Sequence, residues 1–377
     1  MSVGGIGRVE TQRVVLFDEG DPLELDSGAT LAPVEVAYET YGKLDADASN
    51  AVFVCHALSG DAHAAGHHGD PTRRGWWDTI IGPGRPLDSD RFFIICPNLL
   101  GGCGGSTGPA SVEQRSGRAY GLRFPLFTVR DLVTVHRALL ARLGISRLHA
   151  AVGGSLGGMQ ALQWALDRPQ ELKHAILVCA SARLSAQNIA LSAIARSAIT
   201  SDPDFQGGDY LDGPRRPSHG LALARKLGHV TYLSDESMRR KFDRARRGGE
   251  GAPMTMDVDF EVEHYLEHQG EIFVERFDAL SYLYLTRVMD YFDPFAEPQL
   301  DLERVDTQIL AISFDSDWRF GSAHSRFIAE QLQAGGVSAR HVELASPWGH
   351  DSFLLDGEQY HGLVADALGA PARAHIR

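Results

Sequence analysis

The chain has 377 residues and a net charge of −13, from 36 basic and 49 acidic side chains. With 44% hydrophobic and 23% charged residues it has the make-up of a soluble globular protein, which excludes a mainly disordered chain. The acidic balance argues against a nucleic-acid partner, and the lack of an 18-residue apolar run argues against a membrane span. The opening stretch, Met1 to Arg13, is polar and glycine-rich, unlike a signal peptide. Four cysteines, Cys55, Cys96, Cys103 and Cys179, form no CxxC pair. A reduced cytoplasmic protein without structural zinc is the expectation.

Taken in chain order, Pro33 to Tyr41 alternates as an antiparallel edge strand does. Ala51 to Cys55 reads as a buried strand, and so does Arg91 to Cys96, which Pro97 stops. Leu148 to Gly153 and His174 to Cys179 are two more, with a helix from Leu156 to Leu166 between them. Short, continuously apolar strands separated by helices predict a mostly parallel sheet covered on both faces. From Leu184 the pattern turns helical: Gln187 to Thr200, Gly220 to Leu227, Ser234 to Arg246, Val258 to Gln269 and Ala279 to Phe292. Strand signals then return at Thr307 to Ser313 and Ala339 to Leu344, around a helix from Ala323 to Ala334. The expected organisation is a core begun in residues 1–183, a helical lid insertion in 184–298, and the rest of the core in 299–377. Insertions of this kind sit over the C-terminal ends of the strands, where ligands bind.

The chemistry is read from Gly153-Gly-Ser-Leu-Gly157, a Gly-x-Ser-x-Gly that follows a strand and opens a helix. That context makes Ser155 a nucleophile on a strained turn. A serine nucleophile needs a base, and the base needs an orienting carboxylate, in the chain order Ser, Asp, His. Asp317 and His350 stand in that order, each just beyond a late strand, with Asp315 as the rival acid. The oxyanion hole is expected from the backbone N–H of Leu156, after the nucleophile, and of Leu58, in the turn after an early strand. His56 and His63 read as structural or pocket-lining, since their spacing is not that of metal ligands. No metal is expected.

Longer strings carry a specific resemblance. They include Cys55-His-Ala-Leu-Ser-Gly60, Gly75-Trp-Trp-Asp78, Asn98-Leu-Leu-Gly-Gly-Cys103 and the elbow's continuation through Gly157-Gly-Met-Gln-Ala-Leu-Gln-Trp164. Later ones are Leu184-Ser-Ala-Gln-Asn188, Gly228-His-Val-Thr-Tyr-Leu-Ser234, Phe277-Asp278, Tyr282-Leu-Tyr284, Asp290-Tyr-Phe-Asp293 and Gly349-His-Asp351. From about Leu16 to Leu355 the chain resembles the homoserine O-acyltransferases of the α/β-hydrolase superfamily.

The resemblance implies a ping-pong reaction of methionine biosynthesis, with an acyl-enzyme on Ser155, an acyl-CoA co-substrate and no permanently bound cofactor. It also implies that Arg225 takes the carboxylate of homoserine and Asp351 its ammonium, under a lid that excludes water. A homodimer through the helical insertion is a further implication. The donor is read from Asp317-Trp-Arg-Phe320. Acetyl-using relatives are typically apolar where Arg319 stands, and succinyl-CoA brings a free carboxylate that a guanidinium can pair with. Gly108-Pro-Ala-Ser111 is also similar to the succinyl-using relatives. Succinyl-CoA is thus the expected donor. Acetyl-CoA as donor, serine as acceptor, and a serine esterase are the alternatives. The stretch from Pro214 to Arg247 holds ten Lys/Arg against three Asp/Glu, read first as solvated helix faces and otherwise as steering for anionic CoA.

Overall fold

A computed structural model describes residues 5–249, 251 and 253–369. The remaining positions of the expected core and insertion segments, 1–4, 250, 252 and 370–377, lie outside the described residues. Eight strands form the main sheet: β1 (Gln12–Phe17), β2 (Val34–Tyr41), β3 (Ala51–Cys55), β4 (Phe93–Pro97), β5 (Leu148–Gly154), β6 (Leu172–Val178), β7 (Gln308–Phe314) and β8 (Ala339–Leu344). Their order across the sheet is β1-β2-β4-β3-β5-β6-β7-β8, and only β2 runs against its neighbours.

The apolar strands are split between two cores by their period of two. Ala51, Phe53 and Cys55 of β3 face one buried cluster, with Leu132 of α1 (Val129–Arg142) and Leu162 of α2 (Leu156–Asp167). Val52 and Val54 face the other, with Trp77. Helix α3 (Ala186–Thr200) follows β6. Then come α4 (Ser218–Tyr232), α5 (Asp235–Lys241), α6 (Glu261–Arg276) and α7 (Ala279–Asp290), all before β7. The chain closes with α8 (Ser322–Ala334) between β7 and β8, and α9 (Glu358–Ala367), whose Val364 joins the second core.

Three expectations are corrected. The strand expected at a sheet edge, β2, lies one place in, because β1 pairs along its outer side and buries most of it. The helix expected from Ser234 to Arg246 ends at Lys241, where Phe242 leaves helical geometry and Asp243 takes φ +43°. The helix expected from Val258 to Gln269 runs from Glu261 to Arg276, since Glu263 caps it by accepting the Phe260 N–H at 2.9 Å.

Candidate active site

β5 delivers the chain into a turn that puts Ser155 at φ 57°, ψ −122°, on the N-terminal end of α2. A non-glycine residue held there carries strain of about 1–3 kcal/mol, tolerated where the surroundings enforce it. The surroundings here are backbone. A Cβ on Gly157 would lie 2.0 Å from the Cys55 carbonyl oxygen, and one on Gly153 would lie 2.4 Å from the Gly157 carbonyl carbon. The spacing Gly-x-Ser-x-Gly is therefore a steric requirement of packing α2 against β3 and β5. The Ser155 N–H is tied to Val178 O of β6 at 2.9 Å.

The β7 and β8 ends bring Asp317 and His350 together: His350 Nδ1 lies 2.7 Å from Asp317 Oδ2, with both residues buried. Asp317 Oδ1 also accepts the Arg319 and Phe320 N–H groups, each at 2.9 Å. Burial pushes the Asp317 carboxyl up, but His350 and these two N–H donors outweigh it and hold it below the ordinary carboxylate range. With Nδ1 as the donor to Asp317, neutral His350 keeps Nε2 as an acceptor. Its ring is held by Phe320, Phe353 and Tyr232, with centroids 5.1, 5.6 and 5.8 Å away. Phe353 also lies against the position a Cβ on Gly154 would take, so it spans from the elbow to His350. Ser155 makes no hydrogen bond to His350 in this structure; such bonds commonly tighten only with substrate in place. The rival acid, Asp315, is exposed and accepts the Ser346 N–H at 2.9 Å instead.

The N–H groups of Leu58 and Leu156 donate to no backbone acceptor among the described residues. The turn carrying Leu58 is fixed by His56. The Leu99 N–H donates to His56 Nε2 at 3.2 Å, which leaves the proton on Nδ1, 2.7 Å from Ala57 O. Burial lowers the His56 pKa and keeps the ring neutral. In a trans peptide the N–H opposes the C=O, so fixing Ala57 O also fixes the direction of the Leu58 N–H.

The insertion supplies the charged rim. Arg225 of α4 is half-buried, with Nη1 3.3 Å from Ser59 Oγ, its guanidinium 4.7 Å from the Phe273 ring centroid, and its buried Nε unpartnered. Asp351 follows His350, and burial raises its carboxyl, opposed by His350 when it is protonated and by the charges of Arg225 and Lys241. Arg319 does not point to open solvent. It is half-buried, and its Nη1 reaches Thr231 Oγ1 of α4 at 3.4 Å. Two residues that the sequence reading passed over also stand here. Arg276, in the last turn of α6, donates through Nη1 to Ser59 O at 2.9 Å. The signal for Arg276 was its place directly before Phe277-Asp278 in a string already singled out; Ser59 lies inside the Cys55 to Gly60 string.

His63 is paired with buried Glu39. Its Nδ1 is 2.9 Å from Glu39 Oε2, and His68 Nε2 is 2.6 Å from Glu39 Oε1. These three residues bring ligand-type atoms within 4.8 Å of one another, but Thr11 and Tyr41 hydroxyls also donate to the same carboxylate. Glu39 is thus already surrounded by four donors.

A family model described as alpha/beta hydrolase fold matches residues 50–356. A homoserine O-succinyltransferase of a Nocardioides species is 56% identical over 97% of this chain and 100% of its own length. The chain belongs to the homoserine O-acyltransferase family. A homoserine O-acetyltransferase of Methanobrevibacter ruminantium is 47% identical, over 98% of this chain and 75% of its own. Among solved structures, a homoserine O-acetyltransferase from Bacillus anthracis superposes with a TM-score of 0.87 at 28% identity, covering 97% of this chain and 99% of that one. Esterase E22 superposes equally well, with a TM-score of 0.87 at 28% identity over 96% of this chain and 100% of its own. In this acyltransferase, four of the ten cations between Pro214 and Arg247 are paired with carboxylates: Arg215, Lys226, Arg240 and Arg246. No helix among the described residues is long and apolar enough to cross a membrane.

Proposed function

We propose that the protein is a cytoplasmic homoserine O-succinyltransferase that uses succinyl-CoA and a Ser155-His350-Asp317 triad. His350 Nε2 takes the Ser155 proton as Oγ attacks the thioester carbonyl. The N–H groups of Leu58 and Leu156 receive the oxyanion, whose collapse expels CoA as a thiolate that takes the proton from His350. The homoserine hydroxyl then gives its proton to His350 and attacks the acyl-enzyme. The second tetrahedral intermediate releases O-succinylhomoserine and returns the proton to Ser155. Arg225 and Asp351 hold the acceptor's carboxylate and ammonium, so that the hydroxyl meets the acyl carbonyl before water does. Helices α3 to α7 serve as the lid of this pocket. The exposed apolar side chains Ile194, Leu223 and Ile272 on them support a homodimer formed through the insertion.

The observation that carries the donor is Arg319. It is a half-buried guanidinium that forms no salt bridge among the described residues, though Asp290 is near enough to feel its charge, and it stands two positions from the proposed catalytic acid. A buried succinyl carboxylate left unpaired would cost several kcal/mol, and Arg319 removes that cost. The test is CoA release from succinyl-CoA and acetyl-CoA, with L-homoserine, L-serine or neither. Homoserine-dependent release favouring succinyl-CoA is the expected result, with the preference moving toward acetyl-CoA in Arg319→Leu. Release that needs no amino acid would make the protein a thioesterase, a reading that the likeness to esterase E22 keeps in view. An acetyl preference in the wild type would take Arg319 out of donor selection.

A further inference from the structure

Two arginines from different helices converge on Ser59, the residue after the proposed oxyanion donor Leu58. Arg225 of α4 approaches its hydroxyl at 3.3 Å, and Arg276 of α6 donates to its carbonyl oxygen at 2.9 Å. Both guanidinium groups lie against the Phe273 ring, 4.7 and 5.3 Å from its centroid. Neither is ion-paired with a carboxylate among the described residues. The two cations repel: partial desolvation and the nearby Arg225 charge lower the pKa of Arg276, against the opposing charge of Asp61, although the Arg276 side chain stays exposed. An anion placed between them would relieve that repulsion and supply the partner that the buried Arg225 Nε lacks.

Distance along the substrates says which anion fits. In homoserine the carboxylate carbon and the hydroxyl oxygen are separated by four bonds, about 4–5 Å. A hydroxyl placed at the acyl carbonyl beside Leu58 therefore puts its carboxylate near Ser59. The first phosphate of CoA lies more than ten bonds from the thioester, about 15 Å away when extended, and cannot reach Ser59 while the thioester is at Ser155. We propose that Arg276 is a second anchor for the carboxylate of the amino-acid acceptor, working with Arg225 and Ser59 as a three-sided cradle. The proposal rests on the acyltransferase reading above and adds a binding residue to it. In this arrangement the acceptor's carboxylate adds a shared anchor to α4, α6 and the oxyanion turn, which Arg225 and Arg276 already join at Ser59.

The test is steady-state kinetics of Arg276→Leu and Arg276→Lys, run after the wild type has been shown to acylate homoserine. A wild type that ignores homoserine would sink the functional reading itself, before the variants bear on Arg276. With a working wild type, Arg276→Leu is expected to raise KM for L-homoserine by roughly 10- to 100-fold, as loss of one charged hydrogen bond does. KM for succinyl-CoA should change far less, and Arg276→Lys should recover part of the loss. Acylation of 3-amino-1-propanol, which lacks the carboxylate, should fall much less than that of homoserine. The proposal is overturned if KM for succinyl-CoA rises as much as that for homoserine, or if the succinyl-to-acetyl preference shifts. It is also overturned if the carboxylate-free acceptor loses as much as homoserine, which would make Arg276 only a clamp on the Ser59 loop. Thermal melting of both variants separates these outcomes from misfolding.

Discussion

At the scale of single residues, the proposed site separates groups that react from groups that aim them. Ser155→Ala removes the nucleophile without touching the turn, since the strained backbone is set by Gly153 and Gly157. It should cut homoserine-dependent CoA release by about 10⁴-fold or more while the melting temperature stays near wild type. His56→Ala leaves the nucleophile intact but frees the Ala57–Leu58 peptide, which His56 Nδ1 pins through Ala57 O. Both half-reactions pass through an oxyanion, so both should slow by a similar factor, of about 10² for a lost oxyanion donor. Rapid-quench rates for acylation and deacylation would check this, and a loss confined to one half-reaction would mean that His56 acts elsewhere.

Asp351 shows the cost of a carboxylate in the role proposed for it, holding the acceptor's ammonium. Burial raises its carboxyl above the ordinary range. A carboxyl whose pKa is raised by folding is expensive to ionise in the fold. Its penalty is absent below the unfolded value, grows as pH rises from the unfolded to the folded value, and is complete above it. Asp351→Asn should therefore melt higher than wild type by about 1–2 °C near pH 7, with the gain disappearing near pH 4. The same variant should bind homoserine worse. Melting curves across that pH range, alongside KM, would show both, and an unchanged Tm at pH 7 would contradict the assigned burial cost.

At the scale of elements, the helical insertion depends on close approach. A Cβ on Gly220 of α4 would lie 2.4 Å from Ala198 O and 2.8 Å from Ile199 Cα, both on α3. Gly220→Ala should push these helices apart, cost about 1–3 kcal/mol, and raise KM for homoserine because α4 carries Arg225. A variant with wild-type Tm and KM would mean that α4 can shift freely. The same elements mark how far the sequence was legible. The sheet strands and the elbow could be read locally, since a continuous apolar run or a Gly-x-Ser-x-Gly is complete within a few residues. Asp317 and His350 were readable because each follows a recognisable strand. The limits of α5 and α6 were not, since the break at Phe242 and Asp243 and the cap from Glu263 depend on local backbone geometry that periodicity does not encode. Arg276 was missed for a related reason. Its importance lies in reaching Ser59, more than 200 positions away, and nothing beside it in the chain announces that contact. The edge strand was misplaced because β1, which covers β2, was not read as a strand although Val14 to Phe17 is a continuous apolar run.

At the scale of the whole molecule, the order of the chain has a consequence for assembly. β6 and β7 are side-by-side partners, paired from His174 with Gln308 to Val178 with Ile312, yet every helix of the insertion lies between them. Joining them closes a loop of about 130 residues, and long-range parallel pairing of this kind is slow relative to local helix formation. Ser155, the proposed nucleophile, lies ahead of that loop, while Asp317 and His350, its proposed acid and base, come after it. A refolding chain should thus regain most of its far-ultraviolet circular dichroism well before it regains turnover, and simultaneous recovery would show that the pairing forms early. On the proposed triad, the same order means that during synthesis a nascent chain already displaying its serine elbow carries no base to activate it, so an incomplete chain would have no means to waste the thioester on water.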